Sequence, residues 1–221
     1  MNSVAKGLIT NKGKNSGGDL LSIVLPGGME NLQLPNPELL NYYRGLEKRI
    51  LWIDTEIDDC LLELEKLILL WNAEDKGKPV EEREKIRIFI FSYGGSIDAC
   101  FSMLDICELS KTPIVTYNMG VSMSAGLLLL LAGSERYTLP KSQVLIHSGS
   151  GGAAGTFEQV EAQMATYKQL VSMMREYIIK RTKIDTKLLN KNKNKEWYIF
   201  AEEQVELGIV DGIISDLDVM Y

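Results

Sequence analysis

The sequence predicts an α/β fold of parallel β-α units, and three observations carry that reading. From residue 49 onward, short β-branched or aromatic runs alternate with helical runs. Two glycine-framed turns, at Gly94-Gly95 and between Gly120 and Gly126, each follow a strand and open a helix. His147, the one histidine in 221 residues, ends a further strand beside a glycine-rich loop. Neighbouring parallel units bring such turns side by side at one edge of a sheet.

Residues 1–28 are polar, glycine-rich and aperiodic, and a short helix is expected over 35–45, so 1–45 reads as an N-terminal arm before one domain over 46–221. Within that domain Arg49–Ile53 is a first strand. Asp58–Trp71 is an amphipathic helix with Leu61, Leu64, Ile68 and Trp71 on its apolar side, and charged 72–85 is a solvated connection. Ile86–Phe91 is a second strand, and Ile97–Leu109 a helix whose apolar side carries Ile97, Phe101, Leu104 and Ile106. Ile114–Tyr117 is a strand that Gly120 is expected to break. The leucine run from Ala125 is a buried helix ended by Gly133, and Gln143–Ile146 is the strand leading to His147. After the glycine loop, apolar residues three or four apart from Phe157 to Ile178 predict a long helix to about Lys180, with Thr156 and Gln159 as its capping box. The lysine-rich run up to Lys195 reads as a solvated surface.

Chemistry concentrates at the turns. Ser122 and Ser124 lie where a strand passes into a helix, close to the positive end of its dipole; equally, both serines could simply cap a core helix. His147 is well placed to face a cleft. It is the one residue available for a histidine-based general base, against the reading of a satisfied core or surface histidine. Gly94-Gly95 exposes backbone N–H groups able to hold an anion or a developing oxyanion, or makes only a tight turn.

Composition narrows the classes. A net charge of −6 and a pI near 5.0 argue against a nucleic-acid surface. Cys60, Cys100 and Cys107 fit neither a metal spacing nor a disulfide framework, so they read as small buried residues of a protein in a reducing cytosol. The N-terminus lacks a signal-peptide apolar region and the leucine run is too short to span a bilayer, so a soluble cytoplasmic protein is expected.

Ser92-Tyr93-Gly94-Gly95, then Gly120-Val121-Ser122-Met123-Ser124-Ala125-Gly126, then Val144-Leu145-Ile146-His147, then Glu202 to Asp211 occur in order along the chain. Together they resemble the successive motifs of the Clp protease proteolytic subunit (ClpP) family over roughly residues 49–214. The resemblance implies the ClpP/crotonase-like fold of stacked β-β-α units with a protruding handle helix at about 156–182. It implies self-compartmentalising rings, typically stacked heptamers, that take a peptide or unfolded protein and draw on an AAA+ ATPase partner; this sequence carries no Walker motif. Carried over by position, Ser124 matches the nucleophile, His147 the general base, and the N–H groups of Gly95 and Ala125 the oxyanion hole, with Gly94 in support. Glu196 falls where the family has its catalytic aspartate. The loop carrying Gly149, Gly151 and Gly152 could pair with an extended substrate as an added strand. No metal, cofactor, nucleic acid or membrane span is implied.

The chain departs from the family at several places: Tyr93 stands for a proline, Ser122-Met123-Ser124-Ala125-Gly126 for Ala-Ala-Ser-Met-Gly, and Ser148-Gly149 for Gln-Pro. These departures resemble the divergent branch that includes the translocation-enhancing proteins. The expected activity is that of a serine endopeptidase. The alternatives are an inactive structural subunit of a mixed ring, an acyl-CoA enzyme of the crotonase branch, and a serine–lysine mechanism.

Overall fold

The computed structural model describes residues 37–220. The chain divides into two units, residues 1–48 and 49–221. In the first, helix α1 spans Pro37–Glu47; most of the expected arm, up to residue 36, lies outside the described residues.

The second unit has the α/β class expected from the sequence. A seven-stranded sheet runs β1 (Ile50–Ile53), β2 (Ile86–Ser92), β3 (Ile114–Met123), β4 (Glu135–Thr138) and β7 (Gly212–Ile213), all parallel. Off this path β5 (Gln143–Ile146) pairs in parallel with β3, and β6 (Trp197–Phe200) pairs antiparallel with β5. The antiparallel β6 is an exception to the all-parallel pattern read from the sequence. Its strand signal sits in five residues behind a lysine run, and pairing direction leaves no trace in so short a segment.

Strand β3 is the main difference from expectation. Gly120 does not end it: the strand continues to Met123. Val115–Asn118 pair with β4, and Val121–Met123 pair with β5, so the sheet forks along one strand. At the fork Gly120 takes φ 142°, and a Cβ there would meet the Phe91 ring at 3.0 Å. Buried Asn118 ties the branches together. Its Nδ2 donates to the Gln143 carbonyl at 3.2 Å, its Oδ1 accepts from Gly120 N, and its own carbonyl accepts from Ser142 Oγ. A polar side chain thus satisfies the backbone groups that the fork leaves without ladder partners.

Helix α2 (Leu61–Glu74) packs on α3 (Ile97–Leu109); α3 has the expected bounds, and α2 begins and ends a few residues later than the periodicity put it. The buried stripe of α2 keeps Leu61, Ile68 and Trp71 as expected but takes Glu65 instead of Leu64, while that of α3 keeps only Leu104. In α3 Cys100, Met103, Leu104 and Cys107 point inward, so two of the cysteines are the small buried residues expected, whereas Cys60 is exposed. In α2 Glu65 is buried beside Leu61, Ile68 and Trp71, accepting from Ser102 Oγ at 3.0 Å. Helix α4 (Ala125–Leu131) is buried along its whole length, packed against β2, β3 and β5 and against α3 and α5 (Phe157–Arg181). On one face of the sheet Trp52, Phe89, Tyr117 and Tyr137, register partners on four adjacent strands, form a row with centroids 4.8, 4.9 and 5.7 Å apart. Such cross-strand aromatic pairs are each worth about 0.5–1 kcal/mol beyond area burial.

Helix α5 opens on its expected capping box: Gln159 N donates to Thr156 Oγ1, and Thr156 N to Gln159 Oε1 at 2.9 Å. Of its apolar stripe only Met174 and Ile178 are buried, and Phe157 stands 76% exposed. The lysine-rich run after it is not wholly irregular: Asp185 caps a short helix, α6 (Thr186–Asn192). A last short helix, α7 (Ala201–Glu206), follows β6.

Candidate active site

Ser124 sits at the junction of β3 and α4. Its backbone is held at φ 53° and ψ −119°, a conformation that costs a residue with a Cβ about 1–3 kcal/mol. Two hydrogen bonds fix it there: Ser124 N donates to Leu145 O on β5 at 3.0 Å, and Ser124 O accepts from Leu127 N in the first turn of α4 at 3.1 Å. Its Oγ makes no cap bond to the helix. Instead it lies 2.7 Å from Nε2 of His147, which β5 delivers at its C-terminal end. Both side chains are half-buried. Ser122 is fully buried two residues earlier, and its hydroxyl has no partner among the described residues. Neither serine caps α4.

The glycine turn after β2 closes against this pair. A Cβ on Gly94 would sit 2.8 Å from Ser124 Cβ, and one on Gly95 would sit 2.2 Å from the Ile57 carbonyl oxygen. Only glycine permits both approaches, and both residues have positive φ, at 106° and 147°. Ile57 N donates to Gly94 O, and Ser96 N donates to Ile57 O at 2.7 Å. Because Ser96 N points at Ile57, the Gly95 N–H faces the other way. Among the described residues neither it nor Ala125 N donates to a turn, loop or cap hydrogen bond. Ser92, buried, supports the turn by donating to Thr55 O and accepting from Gly94 N.

Ser124 and His147 open into a cleft of about 960 Å³, with Tyr93 and Gly95 on one wall and Gly149 and Tyr167 on another. The glycine loop rests on Tyr167 of α5. A Cβ on Gly149 would meet the Tyr167 hydroxyl oxygen at 2.6 Å, and one on Gly151 would lie 3.3 Å from the ring, whereas Gly152 faces open space. The Tyr167 hydroxyl donates to Ser148 O.

Glu196 comes to the site by register. β5 and β6 pair Leu145 with Tyr198 and Ile146 with Trp197, so the next step along the ladder sets His147 opposite Glu196. The exposed carboxylate does not engage the imidazole: Glu196 Oε2 accepts from the Tyr198 hydroxyl at 2.8 Å. That bond pushes the Tyr198 phenol above its ordinary pKa. His147 Nδ1 has no hydrogen-bond partner among the described residues.

The structure therefore brings together Ser124, His147, Gly94, Gly95, Ala125 and the glycine loop, and leaves Glu196 turned toward its own strand. Sequence reasoning missed Ile57, Asn118 and Tyr198. Ile57 acts through its backbone and carries no residue-type signal. Tyr198 was recoverable, since residues two apart on a strand share a face. Among the described residues no cluster of three or more histidine, cysteine or acidic side chains could hold a metal, and no helix is long and apolar enough to cross a membrane.

The Clp protease family model matches residues 38–216. The chain is 32% identical over 194 residues to the ATP-dependent Clp protease proteolytic subunit 1 of Bacillus cereus, covering 86% of this chain and 97% of that one. It is 31% identical over 177 residues to the proteolytic subunit 2 of Corynebacterium diphtheriae, covering 79% and 86%. It is 30% identical over 186 residues to the proteolytic subunit 1 of Corynebacterium jeikeium, covering 83% and 96%. Matched over most of its length and carrying the same α/β architecture, the chain belongs to the Clp protease family.

Proposed function

We propose that the protein is a serine endopeptidase in which Ser124 is the nucleophile and His147 the general base. The observation that carries this reading is the 2.7 Å contact between Ser124 Oγ and His147 Nε2, at a strained strand-to-helix turn facing a cleft. Ser124 Oγ attacks the scissile carbonyl carbon while its proton passes to Nε2. The carbonyl oxygen becomes an oxyanion facing the Gly95 and Ala125 N–H groups, each such donor being worth about 3 kcal/mol in the transition state. His147 then returns the proton to the leaving amine, and the acyl-enzyme is cleaved by water, activated by the same imidazole. An extended peptide lies along the cleft, pairing with the backbone of Gly149, Gly151 and Gly152 as an added strand. Glu196 is the residue in position to orient His147 through Nδ1.

The named relatives are proteolytic subunits of ATP-dependent proteases. By that likeness this chain self-associates into rings, heptamers by the family pattern, around a chamber that takes unfolded protein in the cytoplasm, with an AAA+ ATPase as partner. One observation favours a second reading, a structural subunit of weak or no activity: Glu196 is bonded to Tyr198 rather than to His147.

Labelling with a fluorophosphonate probe separates the two. Labelling lost in Ser124→Ala and His147→Ala but kept in Ser122→Ala supports the peptidase. Labelling that follows Ser122 refutes the choice of nucleophile, and an unlabelled wild-type chain at concentrations where it assembles leaves the structural subunit.

A further inference from the structure

The third member of the site is the least settled, and its geometry carries an inference that rests on the peptidase reading. Glu196 and His147 each lie one residue beyond the last pair of the β5–β6 ladder, Ile146 with Trp197, and continuing that register would bring their Cβ atoms to about 4.5–5.5 Å. A glutamate side chain spans that gap easily. Yet its Oε2 is occupied by the hydroxyl of Tyr198, two residues along the same strand and on the same face. No lysine, arginine or histidine pairs with Glu196 among the described residues, so the phenol is the group that holds it. Tyr198 is itself 43% exposed and does not line the cleft, so its hydroxyl has no evident duty in the core or toward a substrate.

We propose that Tyr198 is a positioning residue that holds Glu196 away from His147, so that the triad is complete only when the Tyr198–Glu196 hydrogen bond opens. With the bond closed, Ser124 and His147 still touch, but nothing fixes the imidazole tautomer through Nδ1. With it open, a rotation of the Glu196 side chain brings a carboxylate oxygen to Nδ1–H, favouring the imidazolium that forms during attack. The device needs a glutamate: its extra methylene, relative to aspartate, gives the carboxylate reach to either partner.

The test uses the full chain in four forms: wild type, Tyr198→Phe, Glu196→Ala and the double variant. Each is assayed for fluorophosphonate labelling of Ser124 and for hydrolysis of a fluorogenic peptide. Tyr198→Phe keeps the ring and removes only the hydroxyl, so folding is not at stake. It should raise the labelling rate and kcat roughly three- to tenfold, the worth of one exposed charge-assisted hydrogen bond, with KM unchanged. The gain should vanish when Glu196→Ala is also present. A Tyr198→Phe rate equal to or below wild type overturns the latch while a labelled wild type leaves the peptidase reading standing. A gain that survives Glu196→Ala also overturns it, since the hydroxyl would then act by another route. An unlabelled wild type with a labelled Tyr198→Phe variant supports the latch, and no labelling in either form overturns both readings.

Discussion

Ser124, which touches His147, and Glu196, which does not, come from the two sides of β5, and the two flanks are built differently. On the β3 side Ser124 is held from several directions: Leu145 O and Leu127 N hold its backbone, and Gly94 and Gly95 fit where no Cβ can enter. On the β6 side Glu196 immediately precedes a four-residue strand, is exposed, and among the described residues bonds only Tyr198, two residues further on. On the proposed reading, nucleophile and oxyanion donors are thus fixed before substrate arrives, which is what electrostatic preorganisation requires. Glu196, the proposed orienting acid, is left adjustable. The difference teaches that a site of this kind can be rigid where bonds are made and soft where a base is merely steered.

Four substitutions sharpen or break that comparison. The largest effect belongs to Gly95→Ala. Its Cβ would collide with the Ile57 carbonyl, displace the N–H and reduce peptide hydrolysis by on the order of 10³, read as kcat/KM; near-normal turnover would show that the turn is not the determined element we describe.

Next comes the anchor at the far end of the rigid flank. Arg49, itself at φ 53°, donates through Nη1 and Nη2 to fully buried Asp75, which also accepts from Thr112 Oγ1 and Lys78 Nζ. Asp75→Asn removes the buried charge partner of the guanidinium, leaving it the half-exposed Glu74 at 3.6 Å, and should destabilise the fold by about 3 kcal/mol in urea at pH 7. The Arg49 hydrogen bonds hold the Asp75 carboxyl well below the usual carboxylate range. A depressed native pKa stabilises the fold fully above the unfolded value, and that contribution is lost as pH falls through the native one. The gap between wild type and Asp75→Asn should therefore narrow below about pH 4; a constant gap would assign the cost to packing.

Glu196→Gln tests the soft flank. An acid firmly engaged on His147 would cost about 10⁴ in turnover when neutralised, whereas one held by Tyr198 should cost tenfold or less. A loss near 10⁴ would mean the two flanks are equally determined in the working assembly. The smallest effect is expected of Ser122→Ala. Its buried hydroxyl has no partner among the described residues, so its removal should change stability by less than about 1 kcal/mol and leave labelling intact. A larger loss would reveal a partner for that hydroxyl within the rigid flank.

Much of this was legible in the residues. The leucine run and the strand to His147 are local patterns, and both formed within a residue or two of where hydrophobicity put them. The glycine turns announced the site because glycine is tolerated where backbones must touch. Other features lie beyond local pattern. Gly120 looks like a strand breaker by propensity, yet it is the residue a forked strand needs, since any side chain would strike Phe91. The inward face of α3 is set by which side meets α2 and α4, so Cys100 and Cys107 displaced Phe101 and Ile106. Glu196 was singled out through the family resemblance and its partner Tyr198 was not, because a hydrogen bond between i and i+2 competes with one across strands only once the strand exists.

The fork in β3 has a consequence for how the molecule opens. A strand whose lower half is laddered to β4 and whose upper half is laddered to β5 belongs to two cooperative neighbourhoods at once. Amide exchange along it should fall into two classes, 115–118 following β4 and 121–123 following β5, with Gly120 as the joint between them. Fraying that begins at the two-residue β7 would reach the first class and stop at the joint, so the edge strands could breathe while the catalytic corner keeps time on its own clock.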